Sequence, residues 1–341
     1  MRIATYNVEW FNTLFDDQGE PLVDNEWSRR RDVTRRAQLK AAGIVFKVLD
    51  ADAVMVIEAP DQSRQRDTVL ALERFAALFD LRARKAMIGF ANDTQQEIAL
   101  LYDPDVFSAR HDPLGAVDVE DALAAPRFDT SFQLDLDTDA AAEAVVFSKP
   151  PLEVDLTHRA TGKALRLIGV HVKSKAPHGA RNPADVMRIA IENRRKQMAQ
   201  CIWIRQRVDE HLSAGEPLIV LGDFNDGPGL DEYEKLFGRS GVEIVMGEGD
   251  AICMHDPHAR MALSRRTGAR PTSSRFYLSH EGRYLQALLD YVMVSPDLAK
   301  TAPKWRIWHP FDDPECYGSE ALREALLTAS DHFPVSIDLE L

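Results

Sequence analysis

Short apolar runs, each bordered by a charged or amide side chain, recur along this 341-residue sequence. Ala53 to Ile57, Ile98 to Leu101, Leu165 to Val172, Leu218 to Leu221, Leu288 to Val294 and Val335 to Leu341 are rich in Val, Ile and Leu. Their length and branching suit strands buried on at least one face. Helical spacing separates them: Val33, Ala37, Ala41, Ile44, Val45 and Val48 fall on one stripe, and Val69, Leu72, Ala76 and Phe79 on another. Residues 184 to 213 repeat that pattern on a longer scale. Thr161-Gly162 reads as a turn joining Leu152–Leu156 to Leu165–Val170. The order is α/β in one domain spanning 1–341. Three less patterned stretches, 105–150, 247–285 and 309–328, read as insertions on one core.

The borders of the strands carry the chemistry. Asn7 and Glu9 close the first strand, Glu58 the second, His171 the strand at 165, and Asp223 with Asn225 the strand at 218; Asp331-His332 introduce the last. A charge at a buried strand end is costly unless it is paired or bound to metal. Strand ends on one sheet edge converge, and a cluster of like charges repels itself without a cation. In Gly222-Asp223-Phe224-Asn225 the carboxylate and the amide, two residues apart, point to one side of an extended chain. They suit a shared phosphate, with the carboxylate holding Mg²⁺ or orienting water. They equally suit an Asx-turn after a strand.

Six segments resemble the endonuclease/exonuclease/phosphatase superfamily, the deoxyribonuclease-I-like fold. They are Thr5-Tyr-Asn7-Val-Glu9-Trp10, Glu58 after its strand, Gly169-Val-His171-Val-Lys173-Ser174, Gly222-Asp-Phe-Asn225, Leu289-Asp290-Tyr291 and Ser330-Asp331-His332-Phe-Pro-Val335, in the family's order. The resemblance implies a four-layer α/β/β/α sandwich of two mixed sheets with one active site at an edge. It also implies phosphoester hydrolysis with Mg²⁺ or Mn²⁺. On that footing Glu58 is the principal metal ligand, Asn7 and Glu9 lie near the same ion, and Asp331 is a further ligand. Asp223 orients or deprotonates the attacking water, Asn225 holds a phosphate oxygen, and His332 stabilises the phosphorane or shuttles a proton, with Asp290 fixing its tautomer. His171 faces the same phosphate, with Glu97 as its partner. One departure stands out: relatives usually carry Gln before the Glu of the second motif, whereas Ile57 precedes Glu58 here.

Lys173 and Ser174, at a strand exit beside His171, are expected phosphate contacts. Arg29-Arg30-Arg31 and Arg35-Arg36 read as the solvated face of a helix. Trp27, Trp203, Trp305 and Trp308 read as core or rim residues, and Asp256-Pro257-His258 is expected on an insertion near the site. With 41 Lys+Arg against 54 Asp+Glu, the net charge of −13 disfavours a sequence-blind nucleic-acid coat but permits an enzyme that touches phosphate locally. Cys201, Cys253 and Cys316 suggest no disulfide framework. The sequence contains neither a signal peptide nor a membrane span, so a cytoplasmic monomer is expected. The leading reading is a metal-dependent phosphodiesterase or nuclease making weak, non-specific contacts to DNA or RNA. The alternative keeps the chemistry on a phospholipid headgroup, an inositol phosphate or a nucleotide; a third reading is an inactive scaffold.

Overall fold

The computed structural model describes residues 1–117, 125–134, 143–177, 179–227, 237–264, 270–278 and 282–341. Parts of the expected insertions at 105–150 and 247–285 therefore lie outside the described residues. In chain order the strands are β1 (Arg2–Asn7), β2 (Ala53–Pro60), β3 (Lys85–Ile88), β4 (Gln96–Tyr102), β5 (Phe107–His111), β6 (Phe132–Leu134), β7 (Glu143–Val145), β8 (Leu152–His158), β9 (Ala164–His171), β10 (Leu218–Asp223), β11 (Ser274–Leu278), β12 (Arg283–Ala287), β13 (Asp290–Val294), β14 (Lys304–Ile307) and β15 (Val335–Asp338). Six form one sheet in the order β14-β15-β1-β2-β4-β3, and five form a second, β13-β10-β9-β8-β5. Helices α1 (Arg35–Leu49), α2 (Thr68–Leu78) and α3 (Pro183–Ser213) cover them.

The apolar runs are continuous because both faces of each sheet are buried. On β2 the alternation sends Met55 and Ile57 one way and Val54 and Val56 the other. Met55 and Ile57, with Ile3 of β1, meet Leu165, Leu167, Ile219 and Leu221 of the second sheet. Val54 and Val56 instead meet Leu39, Val45 and Phe46 of α1. The second sheet's outer face, Ile168, Val170 and Val220, packs on Ile204 and Val208 of α3. The result is the expected layering of helix, sheet, sheet and helix. Local signals set the helix starts: Thr34 Oγ1 accepts from the Ala37 N–H, and the Asn182 side chain caps α3 ahead of Pro183 at its first turn. Among the described residues no helix is long and apolar enough to cross a membrane.

Two of the expected insertions contribute described residues to the core. Within 105–150, β5 forms the edge of the second sheet, and Phe128, Phe132 and Phe147 surround the buried Trp203 of α3. Within 309–328, the helix Glu320–Ala329 packs Leu322, Ala325 and Leu326 into the cluster that contains α1. The third stretch contributes the hairpin β11–β12 and the helix Pro257–Leu263. Asp256 is buried there as that helix's N-cap and also accepts from the Val292 N–H (3.0 Å), so it anchors the insertion to β13 rather than serving the site.

The topology brings the strand ends together. β1 runs parallel to β2, and β9 runs parallel to β10. Asn7, His171 and Asp223 therefore finish strands that point toward one edge. Antiparallel β13 begins at Asp290, directly opposite Asp223, and β15 begins just after His332. Gly222 makes the close passage of β10 possible: its φ is 140°, and a Cβ there would stand 2.1 Å from the Val170 carbonyl oxygen on β9. Gly222→Ala combines a disfavoured backbone with a clash against a neighbouring main chain, and is expected to cost about 3 kcal/mol or more. The midpoint of chemical denaturation, compared with wild type, checks this.

Candidate active site

Asn7 leaves β1 with its side chain buried and donates from Nδ2 to Asp223 Oδ2 at 3.1 Å. The Asp223 carboxylate also accepts the Asn225 N–H (2.7 Å, Oδ1) and Asn225 Nδ2 (3.2 Å, Oδ2). The Asx-turn and the functional reading of Gly222-Asp-Phe-Asn225 are thus one structure. Asn225 has φ 48°, a conformation Asn tolerates, and its second amide hydrogen goes to the Val172 carbonyl (3.1 Å). Both amide hydrogens of Asn225 are thus engaged in this structure, one on Asp223 and one on the Val172 carbonyl.

His332 faces Asp223 from the other sheet's loop. Its Nδ1 pairs with Asp290 Oδ2 at 2.8 Å, and that same oxygen accepts the Ser273 hydroxyl at 2.7 Å. Ser273 Oγ in turn accepts the N–H groups of Leu289 and Asp290. Ligand atoms of Asp223, Asp290 and His332 lie within 4.8 Å of one another. Ser330 fixes the approach of the loop: its hydroxyl donates to the Asn7 carbonyl (2.8 Å) and accepts the N–H groups of Glu9 and His332 (both 3.1 Å).

Glu58 sits on a β-bulge between Ile57 and Ala59 with φ 62°, which costs a non-glycine residue about 1–2 kcal/mol. The bulge turns a carboxylate that would otherwise follow the strand's alternation toward the edge, where Oε2 accepts the Trp10 N–H at 3.2 Å. Glu9 lies beside it but is held by Arg30, whose guanidinium also donates to the Leu327 carbonyl (2.6 Å). Arg30 is not on a helix face as expected: α1 starts later, and residues 29–31 precede it in an irregular segment. Asp331 stands 3.9 Å from His332 Nε2.

The expected His171–Glu97 pair does not form. Glu97 is buried and accepts from Asn92 Nδ2 (2.6 Å) and the N–H groups of Asn92 and Gln62. His171 Nδ1 instead faces Lys149 Nζ at 3.2 Å, and its Nε2 lies 3.7 Å from Asp223 Oδ2. Lys149 is mostly buried, is also bonded to Gln96 Oε1, and feels both Glu58 and Asp223. Sequence reading passed over it because it lies in the least patterned stretch, next to Pro150-Pro151 and far from any motif. An ammonium against Nδ1 makes that nitrogen the acceptor, which leaves the proton of a neutral His171 on Nε2. Lys173 and Ser174 hold main-chain and turn contacts: the Lys173 N–H and carbonyl bond Gln200 and Gln197, and Ser174 Oγ accepts the Ala176 N–H.

Burial drives the electrostatics. It pushes Asp223 up to about 7, with Asp290 and Glu58 adding to the rise against His332. It likewise lifts Glu9 to about 7, Glu97 to about 7, and Glu58 above the usual carboxylate range. Burial works to lower both histidines. In His332 the Asp290 carboxylate, helped by Asp223 and Asp331, overcomes it and holds the imidazole well above its ordinary value. His171 has Lys149 and His332 as neighbours and stays well below. One histidine is therefore cationic near neutral pH and the other neutral.

The donor set fits a hard divalent cation. Asn7 uses its amide nitrogen on Asp223 and leaves Oδ1 buried with no partner. Glu58, on the neighbouring strand, and Asp331 add carboxylate oxygens, while Arg30 already neutralises Glu9. In the tighter Asp223–Asp290–His332 group Asp290 Oδ2 is shared by His332 and Ser273 while its Oδ1 is buried without a partner, so unsatisfied oxygens stand at both Asn7 and Asp290, and the position at Asn7 has the Glu58 carboxylate on the neighbouring strand.

The family model for the Endonuclease/Exonuclease/phosphatase family matches residues 4–332. No curated protein matches the sequence. Among solved structures, TDP2 from Caenorhabditis elegans superposes with a TM-score of 0.52 at 15% identity, over 98% of this chain and 74% of that one. An endonuclease/exonuclease/phosphatase from Bacteroides vulgatus gives 0.50 at 14%, over 99% and 98% of the two chains. The mannosyl-6-phosphatase of Bacteroides thetaiotaomicron gives 0.51 at 15%, with both chains covered fully at 100%. At these identities the fold is what is shared.

Lys149→Met keeps the stem and removes the ammonium. It is expected to lower kcat/KM on the order of 10–100-fold, the usual cost of losing a group that orients another site residue. Steady-state kinetics on a folded variant, verified by circular dichroism, checks this.

Proposed function

The chain belongs to the endonuclease/exonuclease/phosphatase family, a family of phosphoester hydrolases, and from that premise we propose that it is a divalent-metal-dependent phosphodiesterase working by in-line attack of water. The observation that carries this reading is the pair of buried hydrogen-bond chains, Asn7–Asp223–Asn225 and Ser273–Asp290–His332, facing each other at one sheet edge.

In this reading the water lies against Asp223, which Asn7 and Asn225 hold in one orientation. Its raised pKa suits a base that accepts the water proton as the new P–O bond forms. The ester P–O bond breaks opposite, and the leaving oxygen takes a proton from cationic His332, whose Nδ1 is pinned by Asp290 so that Nε2 is the donor. Neutral His171 offers its Nε2 proton to a phosphoryl oxygen, with Lys149 adding positive charge behind it. A divalent ion held by Glu58 and Asn7, with Asp331 beside them, would add positive charge against the phosphoryl group.

Among the described residues the cationic side chains at this edge are few: His332, Lys149 and, close enough to act on Lys149, Lys173, since Lys175 and Arg194 both bind Asp226 and Arg30 binds Glu9. A phosphomonoester carries about 1.5–2 negative charges at neutral pH and a diester only one, so the diester is the better match. The same fold serves the mannosyl-6-phosphatase and TDP2, so fold alone does not choose between ester classes.

With Mn²⁺ or Mg²⁺ the purified protein is expected to hydrolyse bis(p-nitrophenyl) phosphate faster than p-nitrophenyl phosphate, and EDTA to abolish both activities. Asp223→Ala and His332→Ala are each expected to lower turnover by ~10² or more; unchanged turnover in both would remove the mechanism. The pH profile supplies a separate check. His332 acts as a cation, so the rate falls as pH rises through its pKa, and Asp290 keeps that limb at high pH. Asp290→Asn should move the alkaline limb to lower pH and leave the acid side of the profile less affected.

A further inference from the structure

A cavity of about 440 Å³ opens beside Glu9 and Asp331, between the segment that carries Arg30 and Arg31 and the hairpin β11–β12. The hairpin is tied to the catalytic loop: the Arg275 N–H donates to the Asp331 carbonyl (2.7 Å), and Ser274 bridges to His332. Strand alternation then puts Arg275 and Tyr277 on one face of β11, with Tyr284 opposite Tyr277 on β12.

The three arginines on the cavity wall are held differently. Arg30 is committed to Glu9 and the Leu327 carbonyl. Arg31 pairs with Asp32 at 3.2 Å and lies over Tyr277, with its Cζ 4.0 Å from the ring centroid and 61% of its side chain exposed. Arg275 lies over Tyr284 at 3.8 Å and near Phe311 at 5.4 Å, and among the described residues no carboxylate pairs with it. Stacking fixes the guanidinium plane while leaving its in-plane N–H donors open, the geometry that accepts a phosphate in two-point contact. The outer face of Arg31 offers a flat surface of the kind on which bases stack.

Resting on the phosphodiesterase reading, we infer that this cavity is a subsite for the nucleotide next to the scissile phosphate of a single-stranded oligonucleotide, with its further phosphate on Arg275 and its base against Arg31 and Tyr277. The cavity volume is near the small end of the range for ligand pockets, about 300–1,000 Å³, which suits one nucleotide unit. A duplex tracked by its backbone would need many unpaired cations on a basic face, and this wall carries one, in a chain of net charge −13.

The test compares kcat/KM for the dinucleotide TpT with that for the same dinucleotide bearing one more terminal phosphate, pTpT or TpTp, in the metal-loaded protein, with bis(p-nitrophenyl) phosphate as a substrate too small to reach the subsite. In wild type, one of the phosphorylated forms is expected to exceed TpT by about tenfold or more, the scale of a charge-assisted contact. Arg275→Ala should erase that preference and lower kcat/KM for the phosphorylated dinucleotide at least tenfold more than for bis(p-nitrophenyl) phosphate. Tyr284→Leu, which loosens Arg275 but keeps its charge, should give a smaller loss of the same kind. Equal losses on all substrates, no wild-type preference, or blunt duplex DNA cut as fast as the single strand would overturn the subsite. Absence of any turnover of bis(p-nitrophenyl) phosphate would instead overturn the phosphodiesterase reading beneath it.

Discussion

Two buried hydrogen bonds carry the active site across the gap between the sheets. Asn7 belongs to the six-stranded sheet and Asp223 to the five-stranded one; His332 precedes a strand of the first, and Asp290 begins a strand of the second. Neither sheet alone holds a working pair. The spacing that makes both bonds possible is set by the apolar layer between the sheets, where Met55 and Ile57 meet Leu167 and Leu221. Close packing transmits changes in that layer, so the volume of residues far from the edge fixes the distance between Asp223 and His332. Gly169 illustrates the limit, since a Cβ there would run into Met55.

The same low-dielectric edge explains why so many carboxylates can share it. Burial raises Asp223 and Glu58, and each is compensated locally: Asp223 by two amides and the main chain, Glu58 by a main-chain N–H and the nearby Lys149. Asn7 Oδ1 and Asp290 Oδ1 are left buried without partners, the two oxygens at this edge that its own hydrogen bonds do not satisfy. Burial works against a charge on both histidines; the Asp290 carboxylate overcomes it at His332, whereas Lys149 adds to it at His171, so identical side chains take opposite charge states within one site.

Much of this was legible in the sequence because buried strands and buried charges leave strong marks. Val54-Met-Val-Ile57 and Leu218-Ile-Val-Leu221 could hardly be anything but two-faced strands, and polar residues at their ends had to be accounted for. What escaped depends on contacts between distant segments. Lys149 carries no local signal, and its pairing with His171 is set by how β9 lies against the strand bearing Gln96. Glu97 was matched to the wrong partner for the same reason: Asn92, five residues away, takes its carboxylate first. Phe128, Phe132 and Phe147 fall at no regular period, yet all three close on Trp203. Arg30 read as solvated because its run of charge resembled a helix face, whereas Thr34 caps the helix only after Arg29, Arg30 and Arg31 have passed.

The pairing of β1 with β15 has a consequence for the protein's birth on the ribosome. A nascent chain that has emerged through Asp290 already possesses Asn7, Glu58, His171 and Asp223, but lacks His332, and β1 has an open edge where β15 will sit. At about 5–20 residues per second, translation from Asn7 to His332 takes tens of seconds. Throughout that interval Asp290 has no His332 to pair with and β1 has no β15 beside it, so the two sheets' contributions to the site meet only when this last segment has left the exit tunnel.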